Sequence, residues 1–256
     1  ELSGWDVNSP VFDESLVVEG NISRGISISG QRDFTVNNNQ TDRGEIVIEN
    51  SWYGKEISGN EVRIETLEYT GTAFTLRSAA AARITRNRTS LRDGGKAMEI
   101  TTGKTTEGEI LIANNLIFSS GYDARGNFFD PIALLEGLSI ESRYGNTIKL
   151  YHNTIATSGN AGSVPSYTLR LSGEANSFDI KNNYIYDGAA VDDYIIVQAD
   201  GLIAEMDYNN LAGSGYIYGN QSATTFAEWK SLTGFDQHSI RLYPSLTAPK
   251  PELQGT

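Results

Sequence analysis

The chain has 256 residues, 20 basic against 32 acidic side chains, a formal net charge of -12 and no Cys. The acid excess argues against a nucleic-acid partner, because phosphate backbones are held by clustered Lys and Arg that displace counterions, and the missing Cys rules out disulfides and thiolate metal sites. No run of about 18 apolar residues is present, so no membrane insertion is expected.

The chain opens at Glu1 without a signal-like apolar segment, which is the expectation for a mature or excised piece of a larger multidomain protein. Residues 1–25 hold Trp5 and Phe12 and are expected to form an N-terminal cap or the first strands. From 26 to 215, short alternating runs bounded by Gly, Asn and Asp predict many short strands. An eight-residue pattern recurs there: apolar, any, apolar, any, any, Asn, any, apolar. Clear copies are Ala82 to Thr89 (with Thr at the last position), Ile110 to Ile117, Ile148 to Ile155, Phe178 to Ile185 and Ala204 to Leu211; Ile46 to Tyr53 and Val62 to Tyr69 are looser. The sixth position reads Ser51, Leu67, Asn87, Asn115, Asn153, Asn183 and Asn209.

Positions one and three of a strand face the same side and point into a core. The Asn then sits at a bend, whose backbone it tolerates, and its carboxamide both donates and accepts. Coils stacked about 4.8 Å apart bring like residues within hydrogen-bonding reach, so the repeat predicts a solenoid with an internal Asn ladder. A second strand precedes most copies: Phe74-Thr75-Leu76, Met98-Glu99-Ile100, Leu138-Ser139-Ile140, Leu169-Arg170-Leu171 and Ile195-Ile196-Val197. Gly- and Ser-rich turns at Ser119-Ser120-Gly121, Thr157 to Asn160 and Asp187-Gly188 are expected to close the coils. The longest insertion, 119–137, carries Tyr122, Asp123, Arg125, Phe128 and Phe129, a candidate ligand loop on a rigid scaffold. Residues 216–256 are expected to form a C-terminal cap: Thr225 to Leu232 reads as a short helix with Thr224 or Thr225 as N-cap, Phe226 and Trp229 plug the core, and Pro249-Lys250-Pro251 leads away as a linker.

The repeats across roughly residues 20–215 resemble right-handed parallel β-helix proteins of the pectate-lyase-like superfamily. The C-terminal motifs Asp207-Tyr208-Asn209-Asn210-Leu211, Phe226-Ala227-Glu228-Trp229 and Thr233 to Ile240, followed by Pro244, are similar to an end segment of large multidomain surface proteins exported by type IX secretion. The resemblance implies an all-β fold and a secreted or cell-surface bacterial setting, with adhesion or contact to a polysaccharide or cell-surface glycan; it does not fix an activity. The catalytic patterns of pectate lyases, polygalacturonases and pectin esterases are not present. The adjacent Asp192 and Asp193 point to opposite faces of a strand, which makes them a poor acid–base pair.

The remaining enzymatic alternative is a uronate-directed polysaccharide lyase, which needs a base and a cation on the uronate carboxylate. Calcium is a possible cofactor for it, and none is otherwise implied. Arg83, Arg86, Arg88, Arg92 and Lys96 lie close in sequence beside Asp93 and Glu99, and Lys149 and Tyr151 lie on an outward strand face. Lys149 is expected to stack beside Asp179 and Lys181 beside Asp207, the ordinary charge decoration of an exposed sheet. The leading expectation is therefore a non-catalytic surface module with Tyr122, Asp123, Arg125, Phe128, Phe129, Arg83, Arg88, Lys149 and Tyr151 as candidate glycan contacts. A structural spacer of about 40 Å is a third possibility.

Overall fold

A computed structural model describes residues 2–3, 15–65, 71–92, 94–103, 108–121, 135–143, 146–159, 166–173, 177–189, 194–198, 203–213 and 215–243. The chain winds as a parallel β-helix. Each coil lays down three strands in the same order, and the strands of successive coils stack into three sheets of eight, eight and ten strands among the described residues. We call them sheets 1, 2 and 3 in the order each full coil visits them, starting from Leu16–Glu19. The fourth coil is typical, with Ala81–Thr85 in sheet 1, Arg88–Leu91 in sheet 2 and Gly95–Thr102 in sheet 3. All pairings are parallel except the last, in which Gln221–Ala223 turns back on Tyr216–Tyr218.

Alternation supplies the core. In sheet 1, Phe34 and Val36, then Ile84, Ile110 and Ile112, Ile148 and Leu150, and Phe178 and Ile180 are wholly buried, while residues between them face outward. Each such side chain contributes roughly 1.5–3 kcal/mol by leaving water. Gly54 is glycine for a packing reason: a Cβ there would lie 3.0 Å from Phe34 Cζ and 3.2 Å from the Ala82 Cβ.

The corner between sheets 1 and 2 is the most regular part of the molecule. It always takes two residues, the first of them left-handed: Gly20, Asn38, Gly59, Arg86, Asn114, His152, Asn182 and Tyr208. The second is the ladder Asn, which runs through Asn21, Asn39, Asn60, Asn87, Asn115, Asn153, Asn183 and Asn209. Asn153 shows the pattern. Its Nδ2 donates to Asn183 Oδ1 (3.0 Å) on the next coil and to the Ile112 carbonyl (2.9 Å) on the previous one, and its backbone N–H donates to the same Oδ1 (2.9 Å). Its own Oδ1 accepts from Asn115 N and Nδ2. Buried carboxamides are thereby satisfied, as burial demands.

Several expectations need correction. Ile46–Glu49 belongs to sheet 3 and Glu61–Ile64 to sheet 2, so Ser51 is not a ladder position; Leu67 lies outside the described residues. The ladder there uses Asn39 and Asn60. The left-handed bend falls on the residue before each ladder Asn, not on the Asn itself. Each coil has three strands, and the third was hidden because Ser119-Ser120, Thr157-Ser158-Gly159 and Asp187-Gly188 are strand ends in sheet 2, not turns. In sheet 3, Leu169 pairs with Ile196, one residue beyond the expected Ile195.

At the far end, the helix Phe226–Thr233 is capped by Thr225 with a capping box to Glu228 and ends at left-handed Gly234. Trp229 is wholly buried, and Phe226 packs at the edge of the core. Ser239 and Asp236 share the next ladder place: Ser239 Oγ accepts from Asn209 N (2.7 Å), and Asp236 Oδ1 accepts from Asn209 Nδ2 (3.1 Å). Asp236 Oδ2 accepts from Trp229 Nε1 (2.8 Å), which ties the plug to the ladder. Among the described residues, no helix is long and apolar enough to cross a membrane.

Candidate functional site

Connections into and out of sheet 3 vary in length, in contrast to the ladder corner; the longest, residues 121–134, joins Leu116–Ser120 to Leu135–Ser142. The expected contact residues Tyr122, Asp123, Arg125, Phe128 and Phe129 fall in that connection and lie outside the described residues. Variable loops on a rigid frame are where binding tends to sit, which directs attention to the outer face of sheet 3.

That face carries a continuous chain of charge. Arg77 bridges Glu49 (2.5 Å) and Glu99 (2.9 Å), Lys96 bridges Glu99 (2.6 Å) and Glu136 (3.5 Å), and Arg170 Nη1 binds Glu136 Oε1 at 2.9 Å. These contacts arise from register: Lys96 pairs with Glu136 and Glu136 with Tyr167, while Glu99, Ser139 and Arg170 form the adjoining row. Glu136 is 0 % exposed. Its Oε2 accepts no hydrogen bond from the described residues and lies 3.5 Å from the Lys96 ammonium. A buried carboxylate is costly unless it is paired, and Arg170 and Lys96 are the partners of Glu136. Burial pushes the Glu99 carboxyl up, but the hydrogen bonds from Lys96 and Arg77 outweigh it and hold it below its ordinary value. The chain of charge ends on aromatic rings: the Arg170 guanidinium lies 5.3 Å from the Tyr167 ring, and Tyr167 stacks on Tyr194 at 6.0 Å with planes 21° apart.

The basic residues close in sequence at 83–96 do not converge, because that segment travels round a whole coil. Arg83 is exposed on sheet 1 and Arg88 on sheet 2. Arg86 stands at the ladder corner, bonded to Glu56 at 3.2 Å, Arg92 reaches Glu65 at 3.2 Å, and Lys96 alone belongs to the sheet 3 cluster.

Lys149 and Tyr151 share the outer face of sheet 1. The expected registers hold, Lys149 beside Asp179 and Lys181 beside Asp207. The ion pairs are drawn differently: Lys149 binds Glu109 at 2.5 Å, and Lys181 binds Glu205 at 2.6 Å and Asp179 at 3.2 Å. Tyr151 donates its hydroxyl proton to Asp179. Burial and that carboxylate push its phenol up to about 12, so it remains protonated at neutral pH. Among the described residues, no three His, Asp or Glu side chains converge as a metal site requires.

Glu136, Tyr167, Arg170 and Tyr194 were not among the residues expected from sequence. A signal was present, since Glu99, Ser139 and Arg170 are the outward middle residues of the recognised second strands. No protein family's sequence profile matches the chain, and neither does any curated protein or solved structure.

Proposed function

We propose that the chain is a secreted or cell-surface module, one part of a larger protein of the pectate-lyase-like kind, that holds glycans against the outer face of sheet 3 without turning them over. The observation that carries this reading is the row of Glu136, Arg170, Tyr167 and Tyr194: a buried carboxylate fixes a guanidinium, which in turn orders two half-buried rings. Rigid aromatic rings beside ordered polar groups suit sugars, which present apolar C–H faces and hydroxyl edges.

Catalysis by β-elimination is less well supported. A base must be free to take a proton, yet Lys96 is bonded to Glu99 and Lys149 to Glu109. The cations of the sheet 3 cluster are likewise already matched by carboxylates, which leaves little positive potential for a uronate.

A glycan array with the purified protein, repeated with Tyr194→Ala and Tyr167→Ala, tests the reading. Binding that falls about tenfold, or 1.4 kcal/mol, in both variants is the expected result. Turnover of a polysaccharide, with unsaturated uronate products detected by absorbance, or an array with no bound glycan, would reject it.

A further inference from the structure

The two ends of the coil stack are finished differently. At the far end, Asp236 and Ser239 complete the Asn209 rung, and the helix with Trp229 closes the core. At the near end, Leu16–Glu19 opens sheet 1 and Ile22–Ser23 opens sheet 2, each paired on one side only among the described residues. Asn21 is exposed there, whereas the seven ladder Asn that follow it are at most 2 % exposed. Sheet 3 is already one strand longer, because Leu2 and Ser3 pair in parallel with Ile28 and Ser29.

The bonds between the first two coils show what a rung exchanges with its neighbour. Gly20 N donates to the Asn37 carbonyl (3.1 Å), and Asn21 N and Nδ2 donate to Asn39 Oδ1 (3.0 and 2.9 Å). In the other direction, Asn39 Nδ2 donates to the Val18 carbonyl (2.9 Å) and Gln40 N to the Asn21 carbonyl (2.8 Å). One coil earlier, the equivalent groups are the Glu19 carbonyl, Asn21 Oδ1, Asn21 Nδ2 and Ile22 N. Among the described residues, none of them reaches a preceding coil; the Glu19 carbonyl takes a bond from Asn21 Nδ2 of its own coil (3.2 Å). Glu19, Gly20, Asn21 and Ile22 are all exposed. Two acceptors and two donors thus stand in a fixed pattern at a strand edge of the kind that proteins otherwise cap or blunt.

We propose that this end is a docking edge for a further coil of the larger protein: a strand, a two-residue corner with Asn second, and another strand, laid parallel on Leu16–Glu19 and Ile22–Ser23. Its corner Asn supplies N–H and Nδ2 to Asn21 Oδ1 and a carbonyl to Ile22 N. The residue before that Asn supplies N–H to the Glu19 carbonyl. An ordinary edge strand lacks the carboxamide and leaves Asn21 Oδ1 open. The winding order, sheet 1 to 2 to 3, assigns these strands to polypeptide ahead of Leu2. The far end of a second copy does not serve, because Asp236 and Ser239 already close its last rung. The docking edge is independent of glycan contact and stands or falls separately from it.

Backbone hydrogen exchange, read by NMR on the full chain alone and with a copy of residues 33–46 fused ahead of Glu1, tests it. The copy carries the strand Asp33–Asn37, the Asn38-Asn39 corner and the strand Gln40–Asp42, and it brings its Ile46 into register beside Ile26. The Ile22 N–H is expected to exchange rapidly in the chain alone and about tenfold more slowly, or better, in the fusion. Asn39→Leu within the fused copy, with the chain's own Asn39 intact, is expected to remove most of that protection. No slowing in the fusion, or slowing that survives Asn39→Leu, overturns the docking edge. Slow exchange at Ile22 in the chain alone overturns it as well, since the end is then already filled, by a second copy if sedimentation shows a dimer and by this chain itself if it shows a monomer.

Discussion

The ladder corner and the outer face of sheet 3 are built on the same coils by opposite rules. At the corner every coil repeats one two-residue turn, one left-handed residue and one Asn, and from Asn39 to Asn183 each buried rung is completed by an Asn above and an Asn below it. On the charged part of sheet 3, neighbouring rungs carry different groups. Glu136 is completed by Lys96 from the coil before and Arg170 from the coil after. The corner spends its polar groups on holding the stack together, and the face holds its polar groups in place for contact with something else. Changes at the corner should therefore cost stability, and changes on the face should cost stability only where a buried charge is stranded.

The largest effect is expected at the corner. Asn153→Leu removes two donors and an acceptor, leaving Asn115 N and Nδ2 and the Ile112 carbonyl short of partners. With each buried unpaired group costing about 1–3 kcal/mol, denaturant unfolding should show a loss of about 3–5 kcal/mol. A loss below about 1 kcal/mol would mean that the rungs are not coupled.

On sheet 3 the two ends of one ion pair should differ. Arg170→Ala strands a fully buried carboxylate, with Lys96 at 3.5 Å as its remaining cation, and is expected to cost about 2–3 kcal/mol. Glu136→Ala frees an Arg170 side chain that is 43 % exposed and already reaches water, so its cost should stay near 1 kcal/mol. Equal losses in urea unfolding would contradict the burial assigned to Glu136.

Asp236, where the ladder passes into the cap, should be milder and sensitive to pH. Asp236→Asn keeps an acceptor for Asn209 but turns an amide donor or a missing acceptor toward Trp229 Nε1, a loss of about 1 kcal/mol. Burial pushes the Asp236 carboxyl up, against the hydrogen bonds from Ser239, Trp229 and Asn209. A carboxyl raised in the folded state binds protons that the unfolded chain releases, so its contribution is complete below the ordinary Asp value of about 3.9 and declines as pH rises through the folded value. Asp207 has the opposite sign. Burial raises its carboxyl, but the hydrogen bonds from His238 and Tyr208 prevail and hold it low; its contribution is present above the ordinary value and lost as pH falls. Removing each carboxylate in turn should tilt the curve of stability against pH in opposite directions over the acidic range. Parallel curves would overturn the assignment.

The same contrast decides what could be read from the sequence. The corner was legible at Asn87, Asn115, Asn153, Asn183 and Asn209 because one geometry recurs in one local spacing. It failed at Asn60, where Lys55 is an extra residue opposite Phe34 and Thr35 and breaks the spacing, so that Ser51 was read in place of a true rung. Asn39 sits in Phe34 to Thr41, which fits the pattern with Thr at the apolar end. The helix and its plug were legible because a cap signal and two aromatics stand within one turn. The sheet 3 cluster was not, since Lys96, Glu136 and Arg170 are separated by whole coils of unequal length and meet only through register. Arg83 to Lys96 misled for the converse reason: closeness along a strand, a corner and the next strand places side chains on different faces.

The central claim is that the carboxamides of the ladder are sealed inside and bonded from coil to coil. Hydrogen exchange of the side-chain amides, resolved by NMR, tests it directly, because exposed Asn114 and Asn182 stand one residue before buried Asn115 and Asn183 and serve as internal references. Strong protection of the Asn115, Asn153 and Asn183 side-chain amides, with rapid exchange at Asn114 and Asn182, is the predicted result. Rapid exchange at all five would contradict the fold described here.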